Sequence, residues 1–195
     1  MTRFIVLDFE TGGLDPNRNA PISLGVALFE NGDVTVSQEW LIGPTLHWKT
    51  GKIERAYEVN ALEVSGISWT RIKAAPKPNV VVSEIMEWAL KSQSTDLPVI
   101  AYNAPFDFAF YSSLLFLASD WHPTIKGVKV QPPPPFVGPW QCARLLAQSK
   151  LTLDDYRLDT VAGHFGLSRS GESHNALEDA ILAGQVYAKL TEVTP

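Results

Sequence analysis

A single cysteine, Cys142, stands among the 195 residues, so no internal disulfide can staple the chain. That fits a reducing, cytoplasmic compartment, with Cys142 as a small buried hydrophobe. No apolar run approaches the ~18 residues that a membrane span needs, and one arginine before a short strand-like run does not make a signal peptide. The chain therefore reads as a soluble protein without a membrane partner. Basic residues are also few, with 16 Lys and Arg against 21 Asp and Glu and a net charge of −5. This balance argues against a protein that coats nucleic acid through a broad basic surface, and it still allows a small site that grips a few nucleotides through metal ions. Internal repeats are absent. What is present is 45% apolar residues, enough for one domain over residues 1–195 with a sizeable core.

The stretch Phe4-Ile-Val-Leu-Asp-Phe-Glu-Thr-Gly-Gly-Leu-Asp-Pro16 is an apolar strand that ends in two carboxylates and a glycine pair. Side chains alternate along a strand, so Asp8 and Glu10 project from one side and Phe9 from the other. Such a pair repels itself unless a cation sits between the carboxylates, and hard divalent ions suit oxygen ligands. Solvated acids at a strand end beside a tight turn are the equally simple reading of this stretch alone.

A first strand over 3–9 is followed by two strand-like runs, 22–30 and 34–42. Asn31-Gly32-Asp33 joins them, a strong hairpin signal because Asn and Gly accept positive φ. Helical spacing predicts helices over 53–64 and 80–92, the latter with Val82, Ile85, Met86 and Ala89 on one face. A short buried strand at 98–102 leads into an apolar helix over 105–118. Residues 121–139 are the least regular, with four prolines at 132–135 that favour an extended surface loop or, alternatively, a docking motif. Order returns at 140–146, and helices over 158–165 and 175–191 close the chain. A meander followed by alternating helices and strands gives an α/β domain, a mixed sheet covered on both faces.

Asp107 follows a buried strand and opens a buried helix, a costly place for an unpartnered carboxylate. Asp179 shares a helix face with Ala176, Ala183 and Val186, and small neighbours, Ala180 among them, would let that helix approach the sheet. His174 precedes the same helix, where an imidazole of pKa ~6.5 suits a general base. Singly, each is unremarkable: Asp107 in a favourable first turn, Asp179 a solvated helix acid, His174 a helix-start residue. His47, His122 and His164 have no acid-rich surroundings in sequence and receive no role.

Asp8-Phe-Glu-Thr-Gly-Gly-Leu14, Asn103-Ala-Pro-Phe-Asp107 and His174-Asn-Ala-Leu-Glu-Asp-Ala180 together resemble the three motifs of the DEDDh exonucleases, which include polymerase proofreading subunits, RNase T and oligoribonuclease. The five defining residues match in order as Asp8, Glu10, Asp107, His174 and Asp179. The likeness extends to Ile22-Ser-Leu-Gly-Val-Ala27, to Arg157-Leu-Asp-Thr-Val161 and to Phe165-Gly-Leu167, so most of the chain is covered, with 43–52 and 120–139 unmatched. It implies a ribonuclease H-like mixed sheet flanked by helices. It also implies removal of nucleoside 5′-monophosphates from the 3′ end of a nucleic acid, expected to be single-stranded DNA. Asp8, Glu10, Asp107 and Asp179 would hold two Mg²⁺ or Mn²⁺ ions, and His174 would take the proton from the attacking water. By the same resemblance, the backbone of Thr11 and Gly12 would meet the terminal nucleotide, with Leu14 packing on its base and Gly66 and Asn103 beside it. A separate polymerase is an implied partner and a homodimer a further one. An RNase T-like or oligoribonuclease-like ribonuclease, or a nucleic-acid-binding relative without turnover, are the alternatives. Two departures stand out: Ser65-Gly66-Ile67 where many members carry His-Gly-Ile, and Trp140-Gln141-Cys142 where an Asp-Thr pair is common.

Overall fold

The computed structural model describes residues 2–46, 50, 52–121, 129–169 and 175–192. His47, His122 and His174 lie outside that set. Strands β1 (Arg3–Thr11), β2 (Pro21–Glu30) and β3 (Asp33–Leu41) form an antiparallel meander. At its hairpin Asn31 and Gly32 take φ of 55° and 94°, the left-handed values that the pair was expected to supply. Helices α1 (Val59–Ser65), α2 (Trp69–Ala74) and α3 (Pro78–Lys91) follow. The chain then returns as β4 (Val99–Ala101), parallel to β1, and continues into α4 (Ala104–Leu117). A two-residue pair, β5 (Asp120–Trp121) and β6 (Lys129–Val130), precedes β7 (Trp140–Cys142), which lies parallel to β4. Helices α5 (Ala143–Lys150), α6 (Leu158–His164) and α7 (Ala176–Thr191) complete the order. The main sheet runs β3-β2-β1-β4-β7, mixed as expected.

The alternation of β1 divides the core in two. Ile5, Leu7 and Phe9 point to one face, where Val81, Ile85 and Trp88 of α3 and Phe110 and Leu114 of α4 cover them. Phe4 and Val6 point to the other, under Ala180, Ala183 and Val186 of α7, Ala143 and Ala147 of α5 and Val161 of α6. Asp8 and Glu10 continue this second row, so the end of β1 aims both acids toward the helix that carries Asp179. The small residues of α7 allow the close approach anticipated for it. Gly25 of β2, paired with Asp8 across the strands, sits so tightly under α7 that an added Cβ would collide with the backbone of Ala176 and Leu177.

Some expectations need correction. The helix anticipated from residue 53 begins only at Val59, because residues before it are held as extended backbone: Ile53 bridges to Leu46, and Ala56 to Asn19. Helices α2 and α5 were not anticipated; α2 is started by Ser68, whose Oγ accepts from the Arg71 N–H at 3.4 Å. Helix α4 is not buried all round, since Phe108 and Phe116 are exposed. Cys142 is half-buried, its thiol donating to the Tyr102 carbonyl at 3.3 Å. The proline run is a surface loop that ends in the core, where Phe136 is buried and donates its N–H to the Tyr111 oxygen at 2.9 Å.

Candidate active site

At the carboxyl end of β1 the ligand oxygens of Asp8, Glu10 and Asp179 come within 4.8 Å of one another. Three elements make this possible. The pleat of β1 puts Asp8 and Glu10 on one face, and α7 brings Asp179 over it in its first turn, where the helix dipole favours a negative charge. Asn175 caps that turn: its Oδ1 accepts from the N–H groups of Leu177 and Glu178 at 3.0 and 3.1 Å, and its Nδ2 donates to Glu39 of β3 at 3.2 Å. The helix start is thereby pinned to the sheet; His174 itself lies outside the described residues.

Asp107 reaches the same place from α4. It is only 2% exposed, and its Oδ1 accepts the Phe9 N–H at 3.3 Å. With Asp8, Asp179 and Asn103 it lines a cleft of about 700 Å³. Burial pushes the Asp107 carboxyl up to about 8, the Phe9 hydrogen bond opposing the rise. Asp8 is also held well above the usual carboxylate range, first by burial and then by the charges of Asp107, Asp179 and Glu10, with Arg169 pulling the other way. Four acids forced together in this way favour protonation or a cation.

A cation is present that sequence reading missed. Arg169, 15% exposed along its side chain, donates through Nε to Asp179 and through its terminal nitrogen to both oxygens of Asp159 at 2.6 and 2.8 Å. Arg144 and Arg157 line the cleft too, Arg157 paired with Asp155 at 3.0 Å. None of the three belongs to the motifs that carry the acids, and only folding gathers them. The one sequence signal was the place of Arg157 at the head of a matched segment and of Arg169 just after another.

The turn after β1 is built internally. The Gly12 amide donates to the Ala20 carbonyl at 2.7 Å, and its own carbonyl accepts from Glu58 at 2.8 Å and from the Asn19 amide at 3.2 Å. The Gly12 N–H and carbonyl are thus both used in shaping the turn. Thr11 donates its hydroxyl to the Gly13 carbonyl at 2.7 Å. Leu14 stands out from the surface at 83% exposure, an apolar side chain with a free face. Gly66 caps α1 in the left-handed region and lines a separate small cavity with Glu39, Arg71 and Asn175.

A family model described as an exonuclease, that of RNase T, matches residues 5–187. Over 190 residues the chain is 29% identical to DNA polymerase III subunit epsilon of Rickettsia felis, covering 97% of this chain and 74% of that protein. It is 27% identical to the PolC-type DNA polymerase III of Thermotoga maritima, again over 97% of this chain, but spans only 12% of that protein's length. Among solved structures, exonuclease I from Methylocaldum szegediense superposes with a TM-score of 0.70 at 16% identity, over all of this chain and 41% of that one. Exonuclease X in complex with 5′ overhanging duplex DNA gives 0.64 at 16% identity, over all of this chain and 93% of that one. At these identities the structural likeness speaks to the fold, which is ribonuclease H-like.

Proposed function

The chain belongs to the RNase T exonuclease family, and from that premise we propose that it is a divalent-metal-dependent 3′→5′ exonuclease acting on single-stranded DNA. The observation that supports this most is the convergence of Asp8, Glu10 and Asp179 within 4.8 Å, with Asp107 buried alongside. The donor set fits hard divalent cations such as Mg²⁺ or Mn²⁺: all are carboxylate oxygens, and burial leaves Asp8 and Asp107 reluctant to ionise without positive charge nearby, repulsion from neighbouring acids adding to it at Asp8. Asp8, Glu10, Asp107 and Asp179 would hold two such ions, which supply Lewis-acid stabilisation of the attacking and leaving oxygens.

The remaining work falls to the chain's own residues. Leu14 packs on the terminal base, and the Thr11 to Gly13 turn, braced by Asn19 and Glu58, fixes where that base stops. Asn103 borders the cleft beside Asp107 and contacts the terminal nucleotide from that side. His174 accepts the proton of a water whose oxygen bonds to the phosphorus as the bond to the 3′ oxygen breaks. The departing 3′ oxygen takes up a proton from solvent, and the products are a nucleoside 5′-monophosphate and a strand shortened by one with a new 3′ hydroxyl. Phe9 orients Asp107 through its N–H, and Arg169 holds Asp179 in place. The substrate in the cell would be a 3′ end presented by a separate polymerase, as the relatives named for DNA polymerase III suggest.

End-labelled single-stranded DNA, RNA and mismatched duplex, digested side by side with Mg²⁺ or Mn²⁺, test the reading. Stepwise shortening of DNA from the 3′ end is expected. Faster loss of RNA, dependent on the substrate 2′-hydroxyl, would instead make it a ribonuclease.

A further inference from the structure

A second concavity lies away from the acids. The connection between β1 and β2, the segment 53–57 and the facing sides of α1 and α2 enclose a groove of about 660 Å³. Backbone bonds tie it to the turn that carries Leu14: the Ala56 N–H donates to the Arg18 carbonyl at 2.7 Å, Ala20 to Ala56 at 3.0 Å, and Glu58 to Gly12 at 2.8 Å. The groove and the proposed seat of the terminal nucleotide are therefore the two sides of one rigid loop.

Its lining is unlike the rest of this acidic chain. Tyr57 and Trp69 meet edge to face with centroids 4.9 Å apart, and the Lys73 ammonium lies 5.9 Å from the Trp69 ring centre. Arg55 donates to the Asn17 carbonyl and sits 5.9 Å from the centre of the exposed Phe116 ring. Arg18 is exposed at the rim. Arg18 and Arg55 thus line the groove against one acid, Glu54, among the described residues, and Lys73 stands at its edge over Trp69. Cations interleaved with partly exposed aromatic rings suit a strand whose phosphates are negative and whose bases stack on any flat face.

We propose that this groove binds the single strand upstream of its 3′ terminus, Arg18, Arg55 and Lys73 taking backbone phosphates and Trp69 a base. The inference rests on the exonuclease reading for its strand, while its binding test is independent of turnover. Charge complementarity selects the occupant: a chain of net charge −5 that concentrates cations and rings beside the Leu14 loop meets a polyanion there.

The test is fluorescence anisotropy in EDTA, where hydrolysis does not interfere, with a DNA 12-mer and 3-mer carrying free 3′ hydroxyls and with thymidine 5′-monophosphate. Arg18→Gln, Lys73→Gln and Trp69→Leu are compared with the wild type. The expected result is a fall in the ratio of 12-mer to 3-mer affinity, about tenfold for Trp69→Leu and several-fold for each cation. The salt dependence of 12-mer binding should become shallower by about 0.7 in log–log slope for each phosphate that is no longer neutralised. An unchanged ratio in Arg18→Gln and Lys73→Gln, or mononucleotide binding that weakens as much as the 12-mer, would overturn the proposal, the latter assigning the groove to a free nucleotide. If the wild-type protein hydrolyses no strand while the 12-mer ratio still falls, the exonuclease reading fails and the groove stands.

Discussion

The Arg169 guanidinium bridges Asp179 on α7 to Asp159 on α6, setting a positive charge against the acid cluster. In the metal-free protein this arginine opposes the repulsion between Asp8 and its neighbours. Arg169→Gln should therefore destabilise the protein in EDTA by about 3 kcal/mol, the low end for breaking a largely buried pair because Asp159 keeps wide solvent contact. Saturating Mn²⁺ should restore much of the loss. Chemical denaturation with and without metal reads both numbers, and an equal loss in both conditions would mean that Arg169 serves packing alone.

Asp8 and Asp107 give stability an unusual dependence on pH. Both carboxyls are raised from the ordinary 3.8, Asp107 to about 8, so the folded state keeps protons that the unfolded chain releases. Stability falls wherever the folded state binds more protons, at up to about 1.4 kcal/mol per pH unit for each retained proton. Metal-free protein should thus lose melting temperature between pH 5 and pH 8, and divalent cations should flatten the decline. A melting temperature that rises over that interval in EDTA would show both acids ionised at low pH.

Gly25 offers a way to move Asp179 without touching a ligand. A methyl group there would run into the backbone of Ala176 and Leu177, so Gly25→Ala should lift the start of α7 from β2. We expect destabilisation of about 1–3 kcal/mol, as for overpacking elsewhere, with a weakened calorimetric affinity for Mn²⁺. Unchanged metal affinity would show that α7 can shift without carrying Asp179 away.

His174 separates proton transfer from binding. His174→Ala should retain metal and strand binding while turnover drops by roughly 10²–10⁴. Because neutral imidazole is the acceptor, wild-type turnover should rise with pH along a histidine limb that the variant lacks. Near-normal turnover in the variant, or loss of metal binding, would assign the residue a different part.

Much of this was legible in the sequence because alternation along β1 and apolar spacing along α7 are local, and both place acids by simple geometry. Periodicity put Asp8 and Glu10 on one side of β1 and Asp179 on the apolar stripe of α7, and the resemblance to the exonuclease motifs decided against their reading as solvated acids. The identity of the face was not legible: only the packing of α7 over Phe4 and Val6 shows which side of β1 the acids extend. Residues 53–58 misled because their helical spacing is overridden by a bridge from Ile53 to Leu46 and a long-range one from Ala56 to Asn19. The gathering of Arg169, Arg144 and Arg157 was hidden for a related reason, since their meeting with the acids depends on how α5 and α6 pack against α7. The bond from the Gly12 amide to Ala20 was not legible either, because it crosses a loop whose shape no local pattern fixes.

The most direct test is digestion of a 5′-labelled single-stranded DNA carrying either a free or a blocked 3′ terminus, with circular single strands in parallel, in Mg²⁺ or Mn²⁺. The wild type should shorten the free-ended strand one nucleotide at a time, release nucleoside 5′-monophosphates and leave blocked and circular strands intact. Asp8→Ala, Asp107→Ala and excess EDTA should each abolish the ladder. Cleavage of circular strands, or a full ladder in EDTA or in either variant, would contradict a metal-dependent exonuclease acting from the 3′ end.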